Sequence, residues 1–332
     1  MPLSRRAILG AAASAPLAVS FPTGASVAQS LQARSGPKPL TVSFPSGDGF
    51  VVGHLYLPEG YEPSGRYPAV AVGGSLTSVK EQMGGIYAGE MALRGVMALA
   101  IDYRNYGESS GAMRQCEDQA SKVVDLSAAL RFLTKRPDVS RTGLLGICTS
   151  GGTALYAAAE DRNVRAVATV AGFFSDPAIV QMIFKGADGV ERRRAEGRAA
   201  RKRFDETGVI DLISAYDPND QTAVSTTPSQ YYMDQTRGGG VRAWRNAFAV
   251  MAWESWLDFD PVSQASRVVA PTLVIHSDGA AFPNQARKVH ERLAGPKELH
   301  WTEGAHFDFY DQADSVHKAA DRVAAHFRTT LG

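Results

Sequence analysis

The segment Leu144-Leu145-Gly146-Ile147-Cys148-Thr149-Ser150-Gly151-Gly152 joins an apolar run to an Ala-rich stretch. A tight turn from a strand into a helix exposes one side chain at its apex and needs small residues two positions to either side. With Cys148 at the apex, those positions hold Gly146 and Ser150. With Ser150 there, they hold Cys148 and Gly152. The glycine at the end of the strand lies better under Cys148, and the positive end of a helix dipole favours a thiolate. A thiol at its ordinary pKa is mostly protonated near neutrality. A base must therefore take its proton, and a third group must hold that base in the right tautomer. Seven histidines compete for the base, at 54, 276, 290, 300, 306, 317 and 326. His54 falls in an early strand, His290, His317 and His326 in helices, and His276 at a strand end suited to packing. His306 follows the last short strand in a glycine-containing loop, which makes it the candidate base.

The elements that must position these groups follow from periodicity. Leu40 to Phe44 and Phe50 to Leu57 flank Ser46-Gly47-Asp48-Gly49 and read as a hairpin. Apolar strand-like runs recur at Tyr67 to Val72, Val96 to Ile101, Thr142 to Ile147, Val164 to Val170 and Pro271 to His276, with a short one at Leu299 to Thr302. Helical spacing separates them at Lys80 to Leu93, Ala120 to Thr134, Gly151 to Ala159, Asn284 to Leu293 and Ser315 to Thr329. This alternation predicts an α/β fold with a mainly parallel sheet covered on both faces. Residues 173–265 break the alternation and hold three of the four tryptophans. A segment that long is expected to be structured, here as an inserted helical cap whose Tyr231, Tyr232, Trp244, Trp253 and Trp256 either line a pocket or glue the cap to the core. The basic run from Arg192 to Arg203 is interspersed with acids and reads as a solvated helix face.

The Gly-x-Cys-x-Ser-Gly-Gly elbow, Gly74-Ser75 with Val79-Lys80-Glu81-Gln82, Asp102-Tyr103-Arg104-Asn105-Tyr106-Gly107-Glu108-Ser109, and Gly304-Ala305-His306-Phe307-Asp308 together resemble the α/β-hydrolase superfamily. They are most similar to its branch with a cysteine elbow, the dienelactone hydrolases. The resemblance runs from about Leu40 to Gly332. It implies the order nucleophile, acid, histidine, which Cys148, Asp278 and His306 satisfy. Asp278 follows the strand Pro271 to His276, although many members carry the acid about two residues later, where this chain has Ala280. Asp258, Asp260 and Asp308 remain rivals. The resemblance also puts an oxyanion-hole amide at Thr149 and a second at Ser75, with Leu76 as the alternative. It implies acyl chemistry on an ester, lactone or thioester through an acyl-cysteine, and acyl transfer would use the same machinery. A non-catalytic ligand-binding protein on this fold is the competing reading, and the ordered triad weighs against it. Cys116 and Cys148 could also pair as a disulfide, but they lack the Cys-x-x-Cys spacing of a redox site.

Composition bounds the rest. Of 332 residues, 44% are apolar and 21% charged, which excludes wholesale disorder. A formal charge of +1 leaves no basic footprint, so nucleic acid is not an expected partner and a small-molecule substrate is. No metal motif or Gly-rich phosphate loop appears, so no metal and no cofactor are expected. Arg5-Arg6 before a short apolar stretch, with small residues at Ser26-Val27-Ala28, resembles a twin-arginine export signal over residues 1–28. Its removal would leave a hydrolase domain over 29–332, with a formal charge of −1 and no stable membrane insertion, in the periplasm or outside the cell.

Overall fold

Leu40–Ser46 (β1) and Gly49–Tyr56 (β2) pair antiparallel across a turn at Gly47, where φ is +56° and glycine avoids the strain of a side chain. The computed structural model describes residues 37–332, so the leader expected over 1–28 lies outside the described residues. After the hairpin come Tyr67–Gly73 (β3), Met83–Leu93 (α1), Met97–Ile101 (β4), Gln119–Thr134 (α2), Val139–Ile147 (β5), Thr149–Glu160 (α3) and Val167–Val170 (β6). Every residue of β4 and β6 is buried. Such continuous apolar runs belong to strands covered on both faces.

The next hundred residues, where a helical cap was expected, are mainly helical. They contain Pro177–Ile183 (α4), Ala187–Thr207 (α5), Gln230–Met233 (α6), Trp253–Leu257 (α7) and Pro261–Gln264 (α8). They also hold a two-stranded sheet of Leu212–Ile213 (β7) and Phe248–Ala249 (β8). The pairing satisfies backbone groups where Phe248 is buried against Trp253. On α5 the arginines are paired at the surface, Arg194 with Asp258 and Arg198 with Glu191. Thr272–Gly279 (β9), Pro283–Arg292 (α9), Lys297–Ala305 (β10), Asp308–Asp311 (α10) and Ala313–Leu331 (α11) complete the chain.

The main sheet has eight strands in the order β1-β2-β4-β3-β5-β6-β9-β10. From β4 to β10 the neighbours are parallel, and the hairpin joins antiparallel at one edge through β2 and β4. Helices α1 and α11 pack together on one face, α2 and α3 on the other. Val316, Ala320, Val323 and Phe327 form the buried stripe of α11 at helical spacing. The loops after β3, β5, β9 and β10 therefore emerge at one carboxyl edge, where open α/β sheets bind ligands.

The turn from β5 into α3 depends on Gly146. A Cβ on that residue would lie 2.1 Å from the Ser150 carbonyl oxygen and 2.6 Å from the Gly151 nitrogen. Both are backbone atoms at the start of a helix and cannot swing aside. Gly146→Ala is expected to cost about 3 kcal/mol of stability, read as a lower urea midpoint with an unchanged slope. A loss below about 1 kcal/mol would mean that the turn relaxes around the extra carbon.

Candidate active site

Cys148 stands at the apex between β5 and α3 with φ +55° and ψ −121°. A positive φ is costly for a residue with a β-carbon and persists only where the surroundings enforce it. Here the Cys148 N–H donates to the Val170 carbonyl at 3.1 Å, and the Cys148 carbonyl accepts from Gly151 and Phe173 N–H groups, both at 2.9 Å. Ser150, the other residue considered for the apex, lies inside α3 and is fully buried. Its hydroxyl lies 2.8 Å from the Tyr103 hydroxyl and donates to the Gly74 carbonyl. Ser150 thus ties the elbow to the loop after β3 and is not presented at the sheet edge.

The Cys148 sulfur is buried, and this pushes its thiol up to about 11. Hydrogen bonds from the Tyr310 hydroxyl and from the Thr149 and Leu76 amides, with the Lys122 ammonium further off, act against that rise. Thr149 is where an oxyanion-hole amide was expected. The Leu76 amide, the alternative named for the second position, also acts on the sulfur. The Ser75 hydroxyl instead contacts the Tyr232 hydroxyl. The loop turns immediately afterwards at Thr77, where φ is +58°. Its Thr77 N–H donates to buried Glu117 at 3.1 Å, and Glu117 pairs with Lys122 on α2. From the cap, the Tyr216 hydroxyl reaches the Leu76 carbonyl at 3.5 Å, and Trp244 Nε1 reaches the Thr77 hydroxyl at 3.4 Å. Tyr231, Tyr232 and Trp244 therefore brace the site, while Trp253 and Trp256 pack on Phe184 within the cap.

His306 follows β10 and is buried near the sulfur's partner. Its Nε2 lies 3.1 Å from the Tyr310 hydroxyl, and its Nδ1 accepts from the Ala281 N–H at 3.3 Å. Burial, and then the nearby His276, lower its pKa to about 3. The structure does not bring Asp278 to this ring. The Asp278 side chain is 78% exposed and pairs with Arg287 at 3.1 Å. β9 is buried on both faces through Ser277, and Asp278 falls where the strand runs out of the covered sheet. Among the rivals, Asp258 pairs with Arg194, Asp260 caps α8 and Asp308 accepts from the Ala305 N–H at 2.8 Å. The residue that sequence reasoning missed is Tyr310. Its signal was its closeness in sequence to His306, four residues on, in the short helix α10 that starts just after the histidine.

The comparisons bear on this geometry. No protein-family model matches the chain. The protein PA2218 of Pseudomonas aeruginosa is 31% identical over 284 residues, covering 82% of this chain and 75% of the relative. Its crystal structure superposes with a TM-score of 0.74 at 26% identity, over 88% of this chain and 93% of that one. The α/β hydrolase GrgF of Penicillium sp. sh18 gives a TM-score of 0.73 at 19% identity, over 89% and 99% of the two chains.

The chain belongs to the same family as PA2218 and has the α/β-hydrolase fold.

A thiohydrolase of Eupenicillium brefeldianum is also similar, 24% identical over 260 residues, which is 75% of this chain and 82% of the relative. These relatives support a hydrolase of the ester or thioester type. In this chain the segments after β3 and β4 are joined by a buried ion pair. Lys80 Nζ lies 2.8 Å from Asp102 and 2.6 Å from Glu108, and Asp102 also accepts from the Lys80 and Glu108 amides. The fully satisfied pair fixes the loop that carries Leu76. Cys116, the other thiol, is also buried and free, with its pKa pushed up to about 12 chiefly by burial.

The raised thiol pKa sets a testable reactivity. Iodoacetamide labelling of Cys148, followed by peptide mass spectrometry, is expected to be slow at pH 7 and to climb about tenfold per pH unit up to pH 10. A rate already level at pH 8 would contradict a thiol held protonated by burial.

Proposed function

We propose that this protein hydrolyses an ester, lactone or thioester through an acyl-Cys148 intermediate. The observation that carries the reading is the sulfur of Cys148 set against the amides of Leu76 and Thr149. In an acyl-transfer site these donors receive the negative charge that develops on the substrate carbonyl oxygen. The sulfur gives its proton to the His306 side of the site and attacks the carbonyl carbon, the C–S bond forms, the bond to the leaving group breaks and the alcohol or thiol departs with that proton. Water then attacks the acyl-sulfur bond, the acid departs and the thiol is restored. His306 serves this chemistry without Asp278, whose outward position leaves it a surface role.

Thioesters are the favoured class. Their thiol leaving groups depart with little protonation, which suits a site whose imidazole is held neutral. The similarity to a thiohydrolase points the same way. Tyr216, Tyr232 and Phe307 surround the His306 and Tyr310 corner with aromatic faces, an environment for an apolar or conjugated acyl group. A twin-arginine leader at Arg5-Arg6 adds export to the reading, on sequence grounds alone.

The test pairs p-nitrophenyl butyrate with a butyryl thioester. Wild-type protein is expected to turn over both and, when quenched early, to carry one acyl group on Cys148 by peptide mass spectrometry. Cys148→Ala is expected to lose at least about 1,000-fold in kcat/KM and to carry no label. Turnover surviving in the variant would remove the acyl-cysteine mechanism. Reversible binding of esters without turnover by the wild type would favour a ligand-binding role.

A further inference from the structure

A second polar cluster lies outside the site of Cys148, where β2 meets the segments after β3 and β4. Lys80 is enclosed there, and its ammonium lies 2.8 Å from Glu81 Oε1, 2.8 Å from Asp102 Oδ2 and 2.6 Å from Glu108 Oε2. An ammonium has three donors, and these carboxylates use them all. Three negative charges therefore surround one positive charge. Arg114, close by, gives its guanidinium to the Gly107 and Ser109 carbonyls and not to these acids. An excess of negative charge in a partly enclosed place is costly unless a cation balances it.

The second oxygen of Glu81 is a separate observation. Glu81 Oε2 is buried and has no hydrogen-bond partner among the described residues. A buried charged acceptor without a partner bears the full cost of its desolvation. His54, half-buried on β2, completes the set. One ring nitrogen of His54 and one carboxylate oxygen each of Glu81 and Glu108 lie within 4.8 Å of one another. We propose that His54, Glu81 and Glu108 bind one divalent metal ion of the Zn2+ class, at a site separate from the acyl chemistry of Cys148.

The donor set selects the ion. An imidazole nitrogen beside two carboxylates suits Zn2+, whereas Mg2+ and Ca2+ prefer oxygen alone. Zinc bonds of about 2.0–2.2 Å place tetrahedral ligands about 3.3–3.5 Å apart, so the three atoms must close in by about an ångström. Glu108 has the freedom to do so, since its side chain is 61% exposed. A dication offsets the excess charge while Lys80 keeps Asp102, and a water takes the fourth position. The ion joins β2 to the two segments whose Lys80 and Glu108 amides donate to Asp102 at 2.7 and 2.9 Å. No motif announces this site along the chain, because each ligand comes from a different segment.

The test uses the untagged full chain, stripped with a chelator and returned to chelator-free buffer. Native mass spectrometry during a ZnCl2 titration is expected to show one Zn2+ per chain, taken up at micromolar concentration. Glu108→Gln keeps an exposed polar side chain, and His54→Ala removes the nitrogen ligand. Each is expected to weaken uptake at least about tenfold, with the near-UV circular dichroism unchanged. Cys148→Ala is expected to bind as the wild type does, which separates this site from a thiolate-bound ion. Co2+ in place of Zn2+ reads the ligands directly, through visible d–d bands with no sulfur-to-metal band in the near ultraviolet. Hydrogen exchange places the ion independently, since its binding is expected to slow the peptides that hold Lys80 and Glu108. No uptake at millimolar Zn2+, uptake unchanged in both ligand variants, or a sulfur band that vanishes in Cys148→Ala would overturn the proposal. None of these readings involves turnover, so they stand or fall apart from the acyl-Cys148 chemistry.

Discussion

Cys148 is held at φ +55°, in a region that costs a side-chain-bearing residue about 1–3 kcal/mol. The rest of the site is organised by what keeps it there. Gly146 has no β-carbon to strike the Ser150 carbonyl, so the chain can fold back on itself within a few residues. The main-chain groups of Cys148 are bound to β6 and to the segment just after it. Ser150 anchors the first turn of α3 to Gly74 and Tyr103. With the turn enforced in this way, the sulfur is presented at the sheet's carboxyl edge and the Thr149 amide lies beside it.

The second amide comes from a loop that needs its own support. Glu117 and Lys122 hold it at Thr77 from beneath, and Lys80 with Asp102 holds it at its far end. Buried ion pairs contribute little net stability once desolvation is counted, but breaking one leaves a costly unpaired charge. Their value in this molecule is positional, because each fixes a backbone amide or a turn rather than a surface. The cap completes the brace through Tyr216, Tyr232 and Trp244. The segment after β6 is therefore part of what holds the loop carrying Leu76.

Burial acts on both titratable partners in the direction of neutrality. It raises the Cys148 thiol and lowers the His306 imidazole, so the resting site is a thiol beside a neutral ring rather than a thiolate beside an imidazolium. An enclosed neutral site of this kind relies on hydrogen bonds already aimed at the reacting atoms. The Leu76 and Thr149 amides and the Tyr310 hydroxyl supply them.

The order of strands and helices was legible along the chain, as were the elbow at Cys148 and the loop at His306. Hydrophobic periodicity, a glycine under a sharp turn and a histidine after a terminal strand are local signals, set by residues within a few positions of one another. The sequence by itself also pointed to the α/β-hydrolase superfamily and to Thr149. The tertiary structure decided which groups meet the sulfur and the ring. The Leu76 amide faces the sulfur in a loop that is held by contacts with Glu117 and with Tyr216, Tyr232 and Trp244, all distant in the chain. Asp278 lies where β9 emerges from the covered sheet and pairs with Arg287, while the Ala281 amide reaches the Nδ1 of His306. Tyr310 joined the sulfur because α10 is docked against the cap by Arg237. Hydrogen-bond partners drawn from separate segments depend on how those segments pack, and no local pattern encodes that.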